Sequence, residues 1–155
     1  MRSSRGALRE GVIYDLVGRL EHEDVRDRSV RALMQRHHVD EATAELLAAS
    51  ARRLFDAVRD AWKLPARDGE LLEQAALAHE IGKAISHKHF HRHGAYLLRH
   101  SDLPGFSQQD QEDLAILVAG QQGKPRPELF AEAADDAGVE RLQRLVALLR
   151  IAVAF

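Results

Sequence analysis

Apolar residues recur three and four positions apart along nearly the whole chain, and two-residue alternation is almost absent. That spacing puts one apolar stripe on each of a series of helices and predicts an all-α fold. Leu8, Val12, Leu16 and Leu20 define a first amphipathic helix. Asp24 caps a second, whose buried side carries Val30, Leu33 and Met34. Asp40 is the expected N-cap of a long third helix bearing Leu47, Ala51, Leu54, Phe55, Val58 and Trp62. Leu64-Pro65 and Asp68-Gly69 predict a break, and a fourth helix then runs from Glu70 to Ile81 with Gly82 as its stop.

A fifth helix over 91–101 is closed by the turn sequence Asp102-Leu103-Pro104-Gly105. Ser107, with Asp110 three residues on, resembles a capping box and opens a sixth through Leu114, Leu117 and Val118. Gly123-Lys124-Pro125-Arg126-Pro127 is incompatible with regular helix and reads as an extended loop. From Val139 onward, Leu142, Leu145, Val146, Leu149 and Val153 form the final helix. The chain then ends on Ile151-Ala152-Val153-Ala154-Phe155 without charge, cap or glycine. A helix cut off this way is expected in a fragment of a longer protein, and its bare apolar stripe predicts self-association.

Composition narrows the class. With 155 residues the chain holds one compact domain, and with 5 % aromatics its core is mostly Leu, Ala and Val. The absence of cysteine removes disulfides and thiolate zinc sites and fits a cytoplasmic protein. No apolar run approaches the roughly 20 residues of a membrane helix, and the N-terminus lacks a signal-peptide core. A net charge of -2 excludes a globally basic nucleic-acid binder but leaves room for a local basic face.

Such a face is visible. Five of the nine histidines lie between His79 and His93, and no Asp or Glu occurs from Ile81 through Ser101. Lys83, Lys88, Arg92 and Arg99 share the stretch, which is therefore either a metal site or an anion-facing surface. A metal needs three or four converging ligands. Adjacent helical residues such as His79 and Glu80 diverge by about 100 degrees, so they need help from other elements. An anion surface needs only clustered cations, with Arg offering a fork to phosphate oxygens and Lys a point charge. The bland alternative is that these side chains are solvated or hydrogen-bonded within the core.

The segments His79-Glu80-Ile81-Gly82, Ser86-His87, His91-Arg92-His93-Gly94-Ala95-Tyr96-Leu97-Leu98 and Ser101-Asp102-Leu103-Pro104-Gly105-Phe106 together resemble the C-terminal helical region of the exopolyphosphatase and guanosine pentaphosphate phosphatase family. Gly6-Ala7-Leu8-Arg9-Glu10-Gly11-Val12-Ile13-Tyr14-Asp15-Leu16 is similar to the helix by which that family leaves its catalytic half. The resemblance implies a linker helix over 1–22 and a compact, multi-helix HD-like domain over 23–155, truncated at its C-terminus. It implies polyphosphate or guanosine pentaphosphate as ligand, a homodimer, and the family's actin-like N-terminal domains as partners, with no membrane or nucleic acid. The family's chemistry and its Mg²⁺ belong to those actin-like domains; no glycine-rich phosphate loop occurs in these 155 residues, so no catalytic residue and no cofactor are expected in this segment.

The implied phosphate-binding residues are Lys83, His87, Lys88, His91, Arg92 and His93. The HD pattern itself is degraded: its His-Asp pair is His79-Glu80 here, its early histidine falls near Thr43, its late aspartate near Val153, and a further position near Gln121. A catalytic metal is therefore not expected. Two rival readings are a divergent HD phosphohydrolase using His79, Glu80 and His93 with His87 or His91, and a structural helical module for dimer packing.

Overall fold

The computed structural model describes residues 13–14, 16–17, 25–124, 126–131, 133 and 135–155. Most of the first expected helix, the linker over 1–22 and the Asp24 cap lie outside the described residues. Within that segment Ile13, Tyr14, Leu16 and Val17 are helical and exposed. The described elements are all helical: α1 (25–36), α2 (Glu41–Trp62), α3 (Ala66–Ala78), a 3-10 turn (Ile81–Ala84), α4 (Phe90–His100), α5 (Gln108–Ala119), a second 3-10 turn (Pro127–Phe130) and α6 (Asp136–Ala154).

Helix α5 is the centre. Asp113 through Val118 are buried without interruption, so the helix is enclosed on all sides rather than on one stripe. Helix α4 packs along it, α3 and α6 lie against it, and α2 covers α3 and α6. Leu72, Leu98, Leu114, Ile116, Leu117, Leu142, Leu145 and Leu149 are all essentially inaccessible. Each such leucine contributes about 1.5–3 kcal/mol relative to an exposed one. Where the core has few aromatics it closes by small residues: Ala44, Ala48 and Ala51 form the buried edge of α2, with Phe55 as the one large side chain there. Ser107 accepts the Asp110 amide at 3.0 Å, as the sequence led us to expect, and Asp135 caps α6 through the Gly138 amide at 2.7 Å. The final helix thus starts one turn earlier than the periodicity from Val139 suggests.

Three expectations are corrected. Asp68 and Gly69 do not mark a break; they sit in the first turn of α3, which begins directly after Pro65. The break is at the other expected marker, Leu64-Pro65, where Lys63 adopts a left-handed φ of 54° and the Leu64 amide bonds back to the Arg59 carbonyl at 3.0 Å. Asp68 tolerates full burial because Arg141 reaches it from α6, with Nε donating to Oδ2 at 2.8 Å. Gly82 does not stop a helix. Helix α3 ends at Ala78, and Gly82 lies inside the 3-10 turn, where an added Cβ would run into the Phe90 carbonyl oxygen and sit 2.5 Å from the Gly94 amide nitrogen. The third correction concerns the C-terminal stripe: Leu145, Val146 and Leu149 are buried within the chain, Val153 is half-buried, and only Phe155 is fully exposed. The stripe belongs to the core, so it gives no ground for expecting association.

Candidate functional site: a basic cleft beside the histidine turn

The site begins where α3 ends. His79 is 7 % exposed, and its Nδ1 lies 2.6 Å from the Ala76 carbonyl oxygen. A carbonyl only accepts, so Nδ1 carries the proton. Burial pushes the imidazole pKa below its ordinary value and keeps the ring neutral. Its Nε2 is 3.6 Å from Glu80 Oε1, but that carboxylate is already engaged by Lys83 Nζ at 2.8 Å. Lys83 also rests over the Phe90 ring, 4.9 Å from its centroid.

The chain then crosses α4 at close range, glycine against glycine: Gly82 faces the Gly94 backbone, and Gly94 faces Val118 of α5. His89 enters α4 in a left-handed conformation, φ 57°, which costs a non-glycine residue roughly 1–2 kcal/mol. Helix α4 starts with no side-chain cap and no acidic residue in its first turn. An exposed helix start of this kind favours anions. His91 follows, 8 % exposed, with Nδ1 buried and unpartnered; burial first, then the neighbouring Arg92 charge, lowers its pKa. Its ring stands edge-on to His89, centroids 6.1 Å apart.

Antiparallel return of the chain through α5 brings a second wall to the same place. Gly120, Gln122, Gly123, Lys124 and Arg126 lie beside the start of α4, and between the two walls is an open cleft of about 870 Å³. His89, His91, Arg92 and Arg99 line it from α4 and its entry, and Lys124 and Arg126 from the loop, against only Glu112 and Glu128. Arg99 is matched by Glu112 at 2.9 Å. Arg92, Lys124 and Arg126 have no carboxylate partner among the described residues. The second 3-10 turn contributes Glu128 and Leu129 to the lining, and its Phe130 is buried.

Of the residues singled out from sequence, the structure brings His91, Arg92 and Arg99 into this cleft. Half-buried His93 is not among the lining residues, nor are Lys83, His87 and Lys88; Lys83 is neutralised by Glu80, while His87 and Lys88 are exposed on the preceding turn. His89 was not singled out, and its left-handed φ has no local sequence signal. Lys124 and Arg126 were visible as cations in an acid-free loop, but their place opposite α4 is a tertiary fact.

The metal reading fits the geometry poorly. Among the described residues no three His, Asp or Glu side chains converge as cation ligands. At the HD positions, Thr43 is exposed and its hydroxyl donates to Asp40 at 2.7 Å, and Val153 is an aliphatic side chain. Gln121 does meet the histidine turn, but as a hydrogen-bond donor to the His79 carbonyl at 2.7 Å. These residues do not fit a divalent cation.

Residues 25–155 match the family model described as Ppx/GppA phosphatase, domain III. A guanosine-5'-triphosphate,3'-diphosphate pyrophosphatase of Pseudoalteromonas translucida is 36 % identical over 151 residues, covering 96 % of this chain and 30 % of that protein. Proteins of the same name from Aeromonas hydrophila and Photobacterium profundum are 36 % and 34 % identical, each over 99 % of this chain and 31 % and 30 % of their own lengths. The chain therefore spans about three-tenths of the curated relatives it matches. With the family model matching residues 25–155 and a relative 36 % identical over 96 % of its length, the chain belongs to the Ppx/GppA phosphatase domain III family.

Proposed function

We propose that this chain is the HD-like helical region of a guanosine pentaphosphate or polyphosphate hydrolase, and that its basic cleft holds the phosphate-rich part of the substrate. The observation that carries the reading is the cleft itself: Arg92, Lys124 and Arg126 converge from two elements, without acidic partners among the described residues, beside an uncapped helix start. Cations fixed by a scaffold bind successive phosphates more strongly than the same charges spread over a surface, because little reorganisation is needed. In the whole enzyme, attack of water on a terminal phosphoanhydride releases orthophosphate. The role of this region is to neutralise and orient the chain of phosphates, while Mg²⁺ and the attacking water belong to the catalytic domains. Those domains are its proposed partners, in the cytoplasm; among the described residues no helix is long and apolar enough to cross a membrane.

Dimer assembly is the second part of the proposal. The family resemblance implies it, and Leu46 on α2 remains 72 % exposed, where a second copy can cover it. Sedimentation at high micromolar concentration should show self-association, and a clean monomer contradicts that part.

The test of the binding role is calorimetric titration of the chain with guanosine pentaphosphate and with polyphosphate, alongside an orthophosphate assay. Binding that weakens steeply with added salt, with no orthophosphate released, is the expected result. Robust release by this chain alone, or no binding at low salt, contradicts the proposal.

A further inference from the structure

We infer that Arg150 is the positioning residue of the cleft: from α6 it fixes the turn that carries Lys124 and Arg126, and so sets how tightly a phosphate chain is held. This rests on the phosphate-binding reading above. Arg150 is absent from the cleft lining, yet its Nη1 donates to both the Gly120 carbonyl at 3.0 Å and the Gly123 carbonyl at 2.8 Å. One nitrogen with two hydrogens thus spans a four-residue turn.

The turn needs such a clamp. Gly120 is pressed against α6, where an added Cβ would lie 2.9 Å from both Val146 methyl groups. Gly123 has φ +77°, a conformation that glycine adopts freely and that its own flexibility does little to hold. Gln121 pins the opposite side by its bond to the His79 carbonyl, and it is buried. Backbone bonds from Gly120 and Gln121 to the end of α5 hold the start of the turn, and Arg150 adds a restraint at Gly123, immediately before Lys124. It also acts electrostatically. Two carbonyl oxygens carrying partial negative charge at the edge of an anion cleft are covered by a guanidinium, which adds a positive charge behind the wall. Arginine is suited to this because its charge persists at any working pH and its donors are fixed in a plane.

The probe is inorganic tripolyphosphate, titrated calorimetrically into the chain and into R150M, R150K, R150Q, the K124A/R126A pair, and that pair combined with R150M. Unfolding midpoints of each variant are measured in parallel. If Arg150 works through the loop cations, R150M weakens binding on the order of tenfold, as expected for side chains in one network. The combined variant then binds no worse than the K124A/R126A pair, and R150K recovers a large part of the loss. A residue that only supports the fold would give independent losses that multiply, and that result overturns the inference. So does R150M binding like the wild type. Should R150M fail to fold, R150Q and R150K carry the same comparison. Failure of the wild type to bind tripolyphosphate overturns the phosphate-binding reading and this inference together, whereas a binding wild type with indifferent Arg150 variants overturns this inference alone.

Discussion

Replacing Arg141 by methionine should expose the cost of burying two carboxylates without their cation. Arg141 Nε donates to Asp68 Oδ2 at 2.8 Å, and Nη2 to Asp113 Oδ2 at 3.1 Å. The two carboxylate side chains are 1 % and 3 % exposed. Asp113 has a second donor in Gln109 at 2.8 Å, but Asp68 Oδ1 is buried with no partner. Asp68 therefore depends on Arg141, and burial already pushes its carboxyl above the ordinary range. Methionine keeps the packing volume and removes the charge, leaving two buried carboxylates uncompensated. The expected cost near neutral pH is about 3–5 kcal/mol. For a chain of this length that corresponds to a fall in Tm of roughly 6–20 °C. The loss has a defined pH dependence. With the guanidinium gone, Asp68 in the folded chain holds its proton to higher pH than in the unfolded chain, whose value is near 3.8. Folding then retains a proton, so stability is greatest at low pH and is lost as pH rises through the raised folded value. Urea unfolding at pH 5 and pH 8 should thus show the smaller deficit at pH 5, and Asp68→Asn on the R141M background should recover part of it. A deficit below about 1 kcal/mol, or one indifferent to pH, would refute the reasoning.

Gly82→Ala should cost at least about 2 kcal/mol, because its Cβ would collide with the Phe90 carbonyl, a backbone atom that yields only if α4 shifts; a circular-dichroism melt close to wild type contradicts that packing. Neutral, buried His79 has a depressed pKa, so the unfolded chain takes up a proton below about 6.5 that the folded chain resists. Stability should accordingly fall as pH drops below that value, by up to about 1.4 kcal/mol per unit until the folded pKa is reached, and H79Q should flatten that part of a pH-resolved denaturation series.

What could be read from sequence followed from how local each determinant is. Helix α5 was legible because Ser107 and the apolar run from Leu114 act within a few residues of one another. The first turn of α3 was only half legible: Leu64-Pro65 marks the break, but Asp68-Gly69 also carries turn chemistry, and only Arg141, 73 positions away, makes a buried aspartate acceptable there. The same limit shaped the site. A stretch free of acids identified His91 and Arg92, yet Lys83 has Glu80 three residues before it and is neutralised by a pair the sequence already displayed. The second wall depends on how α4 and α5 pack and on Arg150 holding the 120–123 turn, neither of which leaves a periodic mark. For the C-terminal stripe, periodicity gave the buried face of α6 correctly but could not say that the covering surface is this chain's own core.

The most direct test of the central claim is an amide NMR titration of the chain with polyphosphate at low salt. The account requires shift changes concentrated at residues 89–92, at Arg99 and across 120–126, attenuated in an R92A/K124A/R126A variant that keeps its fold. Changes centred on α1 or on the exposed turn of His87 and Lys88, or none up to millimolar ligand, would contradict it.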